Sequence, residues 1–269
     1  MSATADAFNA GLADWKEWQE ASWGRLYYTV VRANLQRHLG ERPLHILDAG
    51  GGNGPDALYF AARGHRVTLL DFSTGMLADA RRVAEARGLT THLTFHHADC
   101  LAVPDLFPAQ TFDVVLCHNV LQYVDDAGAL LRALCVPLKP RGVLSVIGMN
   151  RYSEVYRAVF GQGDLITAYA RLDARNEVTP VFGATMRLYT ADEMAPALRS
   201  LGCEVVGHYG VRCVADYLPN DGRKDDPQFY ADLARLECAL ATTHPYNLVA
   251  RYFHLIGCRT AMHAGPQNL

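Results

Sequence analysis

The sequence predicts an α/β fold, in which helices cover both faces of a doubly wound, mostly parallel sheet of seven strands. Short apolar runs alternate with stretches of helical periodicity through the first half of the chain. The alternation resumes near residue 190 and continues to residue 258. In such a sheet, ligands bind beyond the carboxyl ends of the strands, so the functional residues are expected there.

Each predicted element has its own local signal. The strands are apolar runs at residues 44–49, 66–71, 93–97, 112–118, 143–149, 203–211 and 252–258. The helices are predicted at residues 55–63, 73–87, 127–138, 190–201 and 227–242. Ser73 is expected to cap the second helix, which ends at Gly88. Thr190, with Glu193 three residues later, predicts a capping box on the fourth helix.

The chain of 269 residues, half of them apolar, is expected to form one domain. We divide it into a helical N-terminal cap (1–43), a ligand-binding core (44–149), an inserted cap (150–189), the rest of the sheet (190–260) and a tail (261–269). The insertion is polar and aromatic, and is expected to be helix or loop. It carries five arginines, Arg151, Arg157, Arg171, Arg175 and Arg187.

Composition excludes several classes of protein. The seven cysteines are dispersed without a CxxC pair, which argues against a disulfide framework and a structural zinc site. The formal net charge of −3 is unlike that of proteins that coat nucleic acid with a large basic surface. No apolar run approaches the roughly 18 residues of a membrane helix, and the N-terminus lacks a secretory pattern. A cytoplasmic protein without metal or membrane partner is therefore expected.

A glycine-rich loop follows the first strand and has the pattern DxGxGxG. Its residues are Asp48, Gly50, Gly51, Gly52 and Gly54. Glycines let the backbone approach a ligand closely, and the next helix offers free N–H groups. A dinucleotide fingerprint would need glycine where Pro55 stands, and the GK[ST] ending of a triphosphate loop is absent. The pattern fits S-adenosylmethionine (SAM) instead.

Polar side chains also end the next three strands. Asp71 ends the second strand, where a carboxylate can accept hydrogen bonds from both ribose hydroxyls. Asp99 lies just past the third strand, and His118 ends the fourth. Further candidates for cofactor contact are Phe72, Met76 and Cys100. Together with the glycine loop, these positions predict a SAM site.

These features resemble the class I SAM-dependent methyltransferases. The resemblance covers residues 44–149 and includes the segments FDVVLCHNVLQYVDD and LKPRGVLSVIGMN. It implies a Rossmann-like fold with S-adenosylhomocysteine as product. It also implies that Asp99 bonds the adenine amino group and that His118 lies below the sulfonium.

A closer resemblance is to the bacterial tRNA carboxymethoxyuridine methyltransferases, which esterify the carboxylate of a modified wobble uridine. It rests on residues 23–25, 210–218, 236–237, 245–246 and 251–254. It implies that Arg25 contacts the carboxylate of the cofactor and that Arg212 faces the carboxylate of a tRNA nucleoside. Members of that family carry a lysine-rich run in the insertion, whereas residues 171–178 mix both charges here. Because phosphate contacts supply much of nucleic-acid affinity, a small-molecule acceptor remains an alternative.

Methylation of a carboxylate would require the protein mainly to position the two reactants. A carboxylate with an ordinary pKa is ionised at neutral pH and needs no general base. Arg212 would then orient the carboxylate as a bidentate clamp, and the alternative is a salt bridge with Asp216. Tyr123, Tyr217 and Arg151 are further acceptor-side candidates.

Other roles stay open at this level. His118 could act as a general base for a phenol or amine, or it could line the pocket. Cys117 alternates with His118 on the strand and is expected to point away from the site. A non-catalytic SAM-binding protein is a second hypothesis, and a dinucleotide-dependent redox enzyme is a poorer third.

Overall fold

The computed structural model describes residues 4–179, 181–218 and 221–261. Within these ranges the strands are β1 His45–Ala49, β2 Arg66–Asp71, β3 Leu93–His97, β4 Phe112–His118, β5 Leu138–Met149, β6 Asn176–Val178, β7 Thr185–Arg187, β8 Cys203–Val211 and β9 Tyr252–Arg259.

The α-helices are α1 Ala5–Ala10, α2 Leu12–Glu20, α3 Ser22–Gln36, α4 Pro55–Ala61, α5 Thr74–Ala86, α6 Val103–Leu106, α7 Ala127–Cys135, α8 Arg151–Arg157, α9 Leu165–Ala170, α10 Ala191–Ser200 and α11 Pro227–Leu240. A π-helical segment, Ala158–Gln162, continues α8. Short 3-10 turns include Cys100–Ala102, Leu121–Tyr123 and Ala215–Tyr217. Among the helices described, none combines the length and the apolarity needed to cross a membrane.

The main sheet has seven strands in the order β3-β2-β1-β4-β5-β9-β8, which confirms the predicted fold class. Strands β1 to β5 pair in parallel, and β9 runs antiparallel to both β5 and β8. The strand order reverses between β1 and β4, where a crevice opens at the carboxyl ends of the strands. The register places Asp48 opposite both Leu69 and Leu116, so the loops after β1, β2 and β4 meet at this edge.

Two apolar layers hold the sheet, one on each face. One contains Leu116 with α3 residues such as Val30. The other contains Cys117 with α7 residues such as Leu134. Successive side chains of a strand point to opposite faces, so the expected position of Cys117 away from His118 is confirmed. Burial raises the pKa of the Cys117 thiol to about 12, which makes it an inert core residue.

Most predicted elements are present within one or two residues, and both predicted caps are confirmed. The Ser73 hydroxyl accepts from the Met76 amide, and Thr190 and Glu193 form the capping box. The third predicted helix, residues 127–138, is wrong at its end. It stops at Cys135 because Leu138 already pairs with Phe112 at the start of β5.

The insertion after β5 contains α8, the π-helical segment, α9 and the hairpin β6–β7. The hairpin was not predicted, because its strands have only three residues each and show no apolar alternation over a longer run. The predicted tail, residues 261–269, lies outside the described residues apart from residue 261.

Helices α1 to α3 form the predicted helical segment in front of the sheet. Asn9 ties it to the core, since its side-chain oxygen accepts from the Ser73 hydroxyl at 2.7 Å and the Gly75 amide at 2.9 Å. The rings of Trp15 and Trp18 stack with centroids 4.8 Å apart. Both rings line the cavity described next.

Candidate cofactor and acceptor site

A cavity of about 540 Å³ lies at the carboxyl ends of β1, β2 and β4. The glycine loop forms its floor, the N-terminal helices one wall and the insertion another. Loop residues after β8 and the start of β9 close it. Such a volume at the topological switch point suits a cofactor together with part of an acceptor.

The glycine loop brings bare backbone to the cavity. Gly50 has a φ of +70° and donates its amide to the carbonyl of Leu70 at 2.7 Å. A Cβ at Gly50 would lie 2.6 Å from Cγ2 of Val120. Gly52 also has a positive φ, +58°, and only the sulfur of Met76 approaches the position of its Cβ, at 3.8 Å. Glycine is therefore required by conformation at both positions and by space at Gly50.

Two carboxylates fix this loop. Asp71 accepts from the Gly52 amide and the Ser73 amide, each at 2.8 Å, while its carboxyl group still lines the cavity. Asp48 accepts from the Ala57 amide at 3.2 Å and thereby joins β1 to the start of α4. Burial raises the pKa of both carboxyl groups, and for Asp48 the nearby charge of Asp56 adds to the effect. These residues fit SAM for two reasons. The Asp71 carboxylate is able to accept hydrogen bonds from a ribose, and the bare backbone at Gly50 and Gly52 leaves space that a side chain would fill.

His118 belongs to a buried hydrogen-bond chain at the floor of the cavity. Its Nδ1 lies 2.9 Å from Asp56 and its Nε2 lies 2.8 Å from the Ser145 hydroxyl, which is itself 2.8 Å from Nε2 of His254. Burial and the neighbouring His118 hold the pKa of His254 well below its usual range. A neutral His254 therefore donates to Ser145, Ser145 donates to His118, and His118 donates to Asp56.

The lowered pKa of Asp56 agrees with this series of hydrogen bonds. Burial works against its charge, but the hydrogen bond and charge of His118, together with the guanidinium of Arg32, outweigh burial and lower the pKa. An ionised Asp56 accepts from His118. Both ring nitrogens of His118 thus have hydrogen-bond partners within the protein.

The opposite end of the cavity is rich in arginine. Glu154 is 1% exposed and binds three guanidinium groups: Arg251, Arg171 at 2.7 Å and Arg157 at 3.1 Å. Arg171 also pairs with Glu177. We name this end of the cavity the acceptor end. It contains four arginines, Arg157, Arg171, Arg212 and Arg251, and three carboxylates, Glu154, Glu177 and Asp216, so its net charge is +1.

Arg212 lies at the turn after β8 with a φ of +61°, an uncommon conformation for a residue with a side chain. Its Nε and Nη2 donate to the two oxygens of Asp216, so the predicted alternative of a salt bridge is present. The guanidinium carbon lies 5.8 Å from the rings of Trp18 and Tyr252. Among the described residues, Nη1 has no hydrogen-bond partner, and Arg212 lines the cavity.

Glu237 of α11 holds the turn that carries Arg212. Its carboxylate is fully buried and accepts from the amides of Cys213 at 2.5 Å, Val214 at 2.9 Å and Ala215 at 2.7 Å. Three amides on one carboxylate fix the backbone directly after Arg212. The conformation of Arg212 therefore depends on a side chain 25 residues further along the chain.

Several predicted site residues line the cavity: Asp48, Gly50, Gly51, Gly52, Asp71, Met76, His118, Tyr123 and Arg212. Gly54, with a φ of +74°, instead caps α4 behind the loop. Cys100 is buried behind Gly50, and its sulfur lies 3.5 Å from the position of a Cβ there. Phe72 packs edge-on against Phe8, a residue of the cavity wall.

Two other expected cofactor residues, Arg25 and Asp99, lie outside the cavity lining, and their roles stay predictions. Arg25 is exposed on α3, donates to the carbonyl of Glu20 and lies over the ring of Tyr230, because its helical position turns it away from the cavity. Asp99 is exposed and caps the 3-10 turn by accepting from Leu101 at 2.7 Å. Neither residue lines the cavity.

Two acceptor-side candidates also lie outside the cavity lining. Arg151 turns toward α10, where its guanidinium lies 3.6 Å from Glu193. The hydroxyl of Tyr217 donates to the carbonyl of Val249 at 2.7 Å, which holds its ring beside the insertion. Asp56, Glu154 and Arg251 were not predicted as site residues from the sequence. A buried arginine or carboxylate has no distinctive sequence pattern, and the available signals were the density of arginines in the insertion and the segment 251–254.

Within residues 4–179, 181–218 and 221–261, no three His, Cys, Asp or Glu side chains are grouped so as to hold a metal ion.

Comparison with known proteins agrees with this geometry. A methyltransferase domain family matches residues 46–142. The tRNA 5-carboxymethoxyuridine methyltransferase of Escherichia coli is 31% identical over 240 residues, which cover 86% of this chain and 87% of the relative.

Solved structures show the same fold. A SAM-dependent methyltransferase of Thermotoga maritima superposes with a TM-score of 0.61 at 15% identity, covering 96% of this chain and all of the other. One from Mesorhizobium loti gives 0.59 at 22% identity, covering 90% and 99%. The protein is thus a SAM-dependent methyltransferase and belongs to the family that includes the tRNA 5-carboxymethoxyuridine methyltransferase of Escherichia coli.

Proposed function

We propose that this enzyme transfers the methyl group of SAM to a carboxylate on a modified wobble uridine of tRNA, forming a methyl ester. The observation that carries the proposal is the net positive charge of the acceptor end. The other end of the cavity, which we name the cofactor end, is formed by the glycine loop with Asp48, Asp56 and Asp71, so its charged side chains are all carboxylates. The name of the Escherichia coli relative supports a carboxylated tRNA nucleoside as the acceptor. A tRNA acceptor would place the enzyme in the cytoplasm.

The cofactor end would hold SAM through Asp71 and the backbone of Gly50 and Gly52, with Met76 packed beside them. When bound, SAM supplies a methyl group on a positively charged sulfur, which leaves as neutral S-adenosylhomocysteine. Phe72, Asp99 and Cys100 remain candidate neighbours of the cofactor behind this cradle.

The acceptor end would position the carboxylate. Asp216 holds Nε and Nη2 of Arg212, so Nη1 remains to donate to an acceptor oxygen. Trp18 and Tyr252 flank the guanidinium and restrict its movement. Positioning of two reactants can supply roughly 7–11 kcal/mol of a reaction barrier, and an ionised carboxylate needs no base.

His118 then serves as part of the cavity floor rather than as a base, because Asp56 and Ser145 occupy its two nitrogens. Tyr123 lines the cavity and remains an acceptor-side candidate. This arrangement favours a carboxylate over a phenol or amine, both of which must lose a proton during methylation.

The test is methyl transfer from labelled SAM to tRNA carrying carboxymethoxyuridine, compared with the same tRNA lacking the carboxylate. Label should appear only on the modified tRNA and should be released by mild base, as an ester is. Arg212→Ala should abolish most of the transfer but still bind SAM, which reports that the cofactor end is folded. Arg212→Lys keeps the charge without the planar fork and should recover only part of the rate.

Transfer to tRNA without the carboxylate, or full activity of Arg212→Ala, would contradict the proposal. SAM binding without transfer to either tRNA would favour a small-molecule acid as the acceptor. Binding without turnover on any acceptor would indicate a SAM-binding protein that lacks catalysis.

A further inference from the structure

Exposed aromatic rings are concentrated in one segment of the molecule. Among the described residues, the aromatic side chains classed as exposed are Tyr152, Tyr156, Phe160, Tyr169 and Tyr246. Four of these five lie in the insertion, between α8 and α9. Apolar surface gathered in this way marks an interaction site more often than rings scattered singly over a protein.

Two of these rings form an ordered surface with a third. Tyr156 and Phe160 stack with centroids 6.1 Å apart and planes inclined by 16°. The ring of Tyr217 lies 5.9 Å from Tyr156 and 6.0 Å from Phe160. The hydrogen bond from Tyr217 to Val249 fixes that ring. We name Tyr156, Phe160 and Tyr217 the aromatic platform.

The platform lies at the rim of the acceptor end. Arg157 and Ala158, which follow Tyr156 on the same helical turn, line the cavity. Tyr217 directly follows Asp216, the partner of Arg212. A ligand that entered the acceptor end would therefore pass beside rings that are 40% and 58% exposed at Tyr156 and Phe160.

Charge indicates which kind of ligand the rings meet. Residues 150–189 contain five arginines and four carboxylates, whereas the whole chain has a net charge of −3. The insertion therefore has the most positive net charge, +1, of the five segments into which we divide the chain. The side chain of Arg157 is 41% exposed beside the platform. Flat rings next to arginine are the surface on which single-stranded nucleic acid stacks its bases.

We propose that the aromatic platform stacks an unpaired nucleobase adjacent to the nucleotide held in the cavity, so that the insertion binds the anticodon loop of the acceptor tRNA. This inference rests on the proposed tRNA acceptor. Base stacking on the aromatic platform would supply affinity for RNA, which the insertion cannot gain from a run of like charges.

The experiment measures binding of the full-length protein to a fluorescent RNA hairpin with an anticodon loop and no carboxylate, by anisotropy at fixed salt. Phe160→Ala and Tyr156→Ala should each weaken binding by roughly tenfold, since one base stacked on one ring has about that effect. Phe160→Tyr and Tyr156→Phe keep the rings and should bind within about twofold of the parent protein.

Tyr246→Ala is the matched control, because Tyr246 is 50% exposed and lies outside the insertion. Its affinity for the hairpin should equal that of the parent. Equal losses in Tyr246→Ala and Phe160→Ala would overturn the inference, as would unchanged affinity of Phe160→Ala or absence of hairpin binding by the parent. A dimer in sedimentation that Phe160→Ala dissociates would assign the rings to a second copy of the chain instead.

The inference and the proposed function fail separately. Ring-dependent hairpin binding without methylation of the modified tRNA would overturn the proposed function and leave the platform in place. Methylation of that tRNA by the parent, with hairpin affinity unchanged in both alanine variants, would overturn the platform alone.

Discussion

The two ends of the cavity differ in charge and in how the chain builds them. Asp48, Asp56 and Asp71 give the cofactor end its charge, and its loop is one contiguous stretch after β1. The acceptor end combines residues from the insertion, the turn after β8 and the start of β9. Arg251 and Glu154, which pair there, are 97 positions apart. The cofactor end thus depends on local structure, and the acceptor end depends on long-range ion pairs.

The contrast in charge matches the two reactants of the proposed reaction. SAM carries a positively charged sulfonium, and a carboxylate acceptor carries a negative charge. If each end is tuned to its own reactant, substitutions at one end should leave binding at the other unchanged. Variants at each end test that independence.

Asp71→Ala should weaken SAM binding about 100-fold, because a carboxylate that bonds two hydroxyls contributes on the order of 3 kcal/mol. Isothermal calorimetry measures the change. The Gly52 and Ser73 amides donate to different oxygens of Asp71, so Asp71→Asn keeps an acceptor for only one of them and should lose less affinity than Asp71→Ala. An unchanged dissociation constant in Asp71→Ala, with an intact thermal unfolding transition, would remove this residue from the ribose site.

Glu237→Gln should act at the acceptor end only. A glutamine offers one oxygen and a donor where three amides converge, so the free energy of unfolding should fall by about 2 kcal/mol. The turn at Arg212 should loosen, and the KM for modified tRNA should rise severalfold.

Urea unfolding and steady-state kinetics measure these two effects of Glu237→Gln. The dissociation constant of SAM is the control and should stay within twofold of the parent value. A parallel loss of SAM affinity would show that the two ends are coupled.

Asp113→Asn should affect neither end, since Asp113 lies at the amino end of β4, at the edge of the sheet opposite the cavity. Burial would raise the pKa of Asp113, but the hydrogen bond from the His45 amide and the cations Arg42 and Lys139 lower it to about 2. Because the folded pKa lies below the unfolded value of about 3.9, this carboxylate stabilises the fold at neutral pH. That contribution is lost as pH falls from about 5 to about 2.

The parent protein should therefore exceed Asp113→Asn in stability by about 1 kcal/mol at pH 7, a modest figure because Arg42 is largely solvated. The difference should shrink toward zero by about pH 2. Denaturant unfolding at several pH values measures it. A difference that stays constant with pH would assign the effect of Asp113 to its hydrogen bond with His45 rather than to its charge.

Much of the fold could be predicted because its signals are local. The seven long strands are apolar runs, and Ser73 and Thr190 mark helix starts through their own side chains. The predicted α7 extended too far because the pairing of Leu138 with β4 overrides helical periodicity. The hairpin β6–β7 is too short to show a period.

The cofactor end could likewise be predicted from sequence, since the glycines and Asp71 follow strands directly. The resemblance led us to expect Arg25 beside the cofactor, but the position of Arg25 on α3 turns its side chain to solvent. Arg212 was predicted, but its fixed orientation depends on Glu237 and Asp216, which sequence spacing alone does not reveal.

The amino-acid sequence alone was enough to predict the fold class, the approximate position of each long strand and a loop that only glycine can form. These follow from periodicity and backbone conformation, which act between near neighbours in the chain. Folding of the whole chain fixes which arginines face the cavity, which carboxylates neutralise them and which rings stay exposed at its rim. Those choices depend on burial and on pairs of charges that folding brings together across about 100 residues.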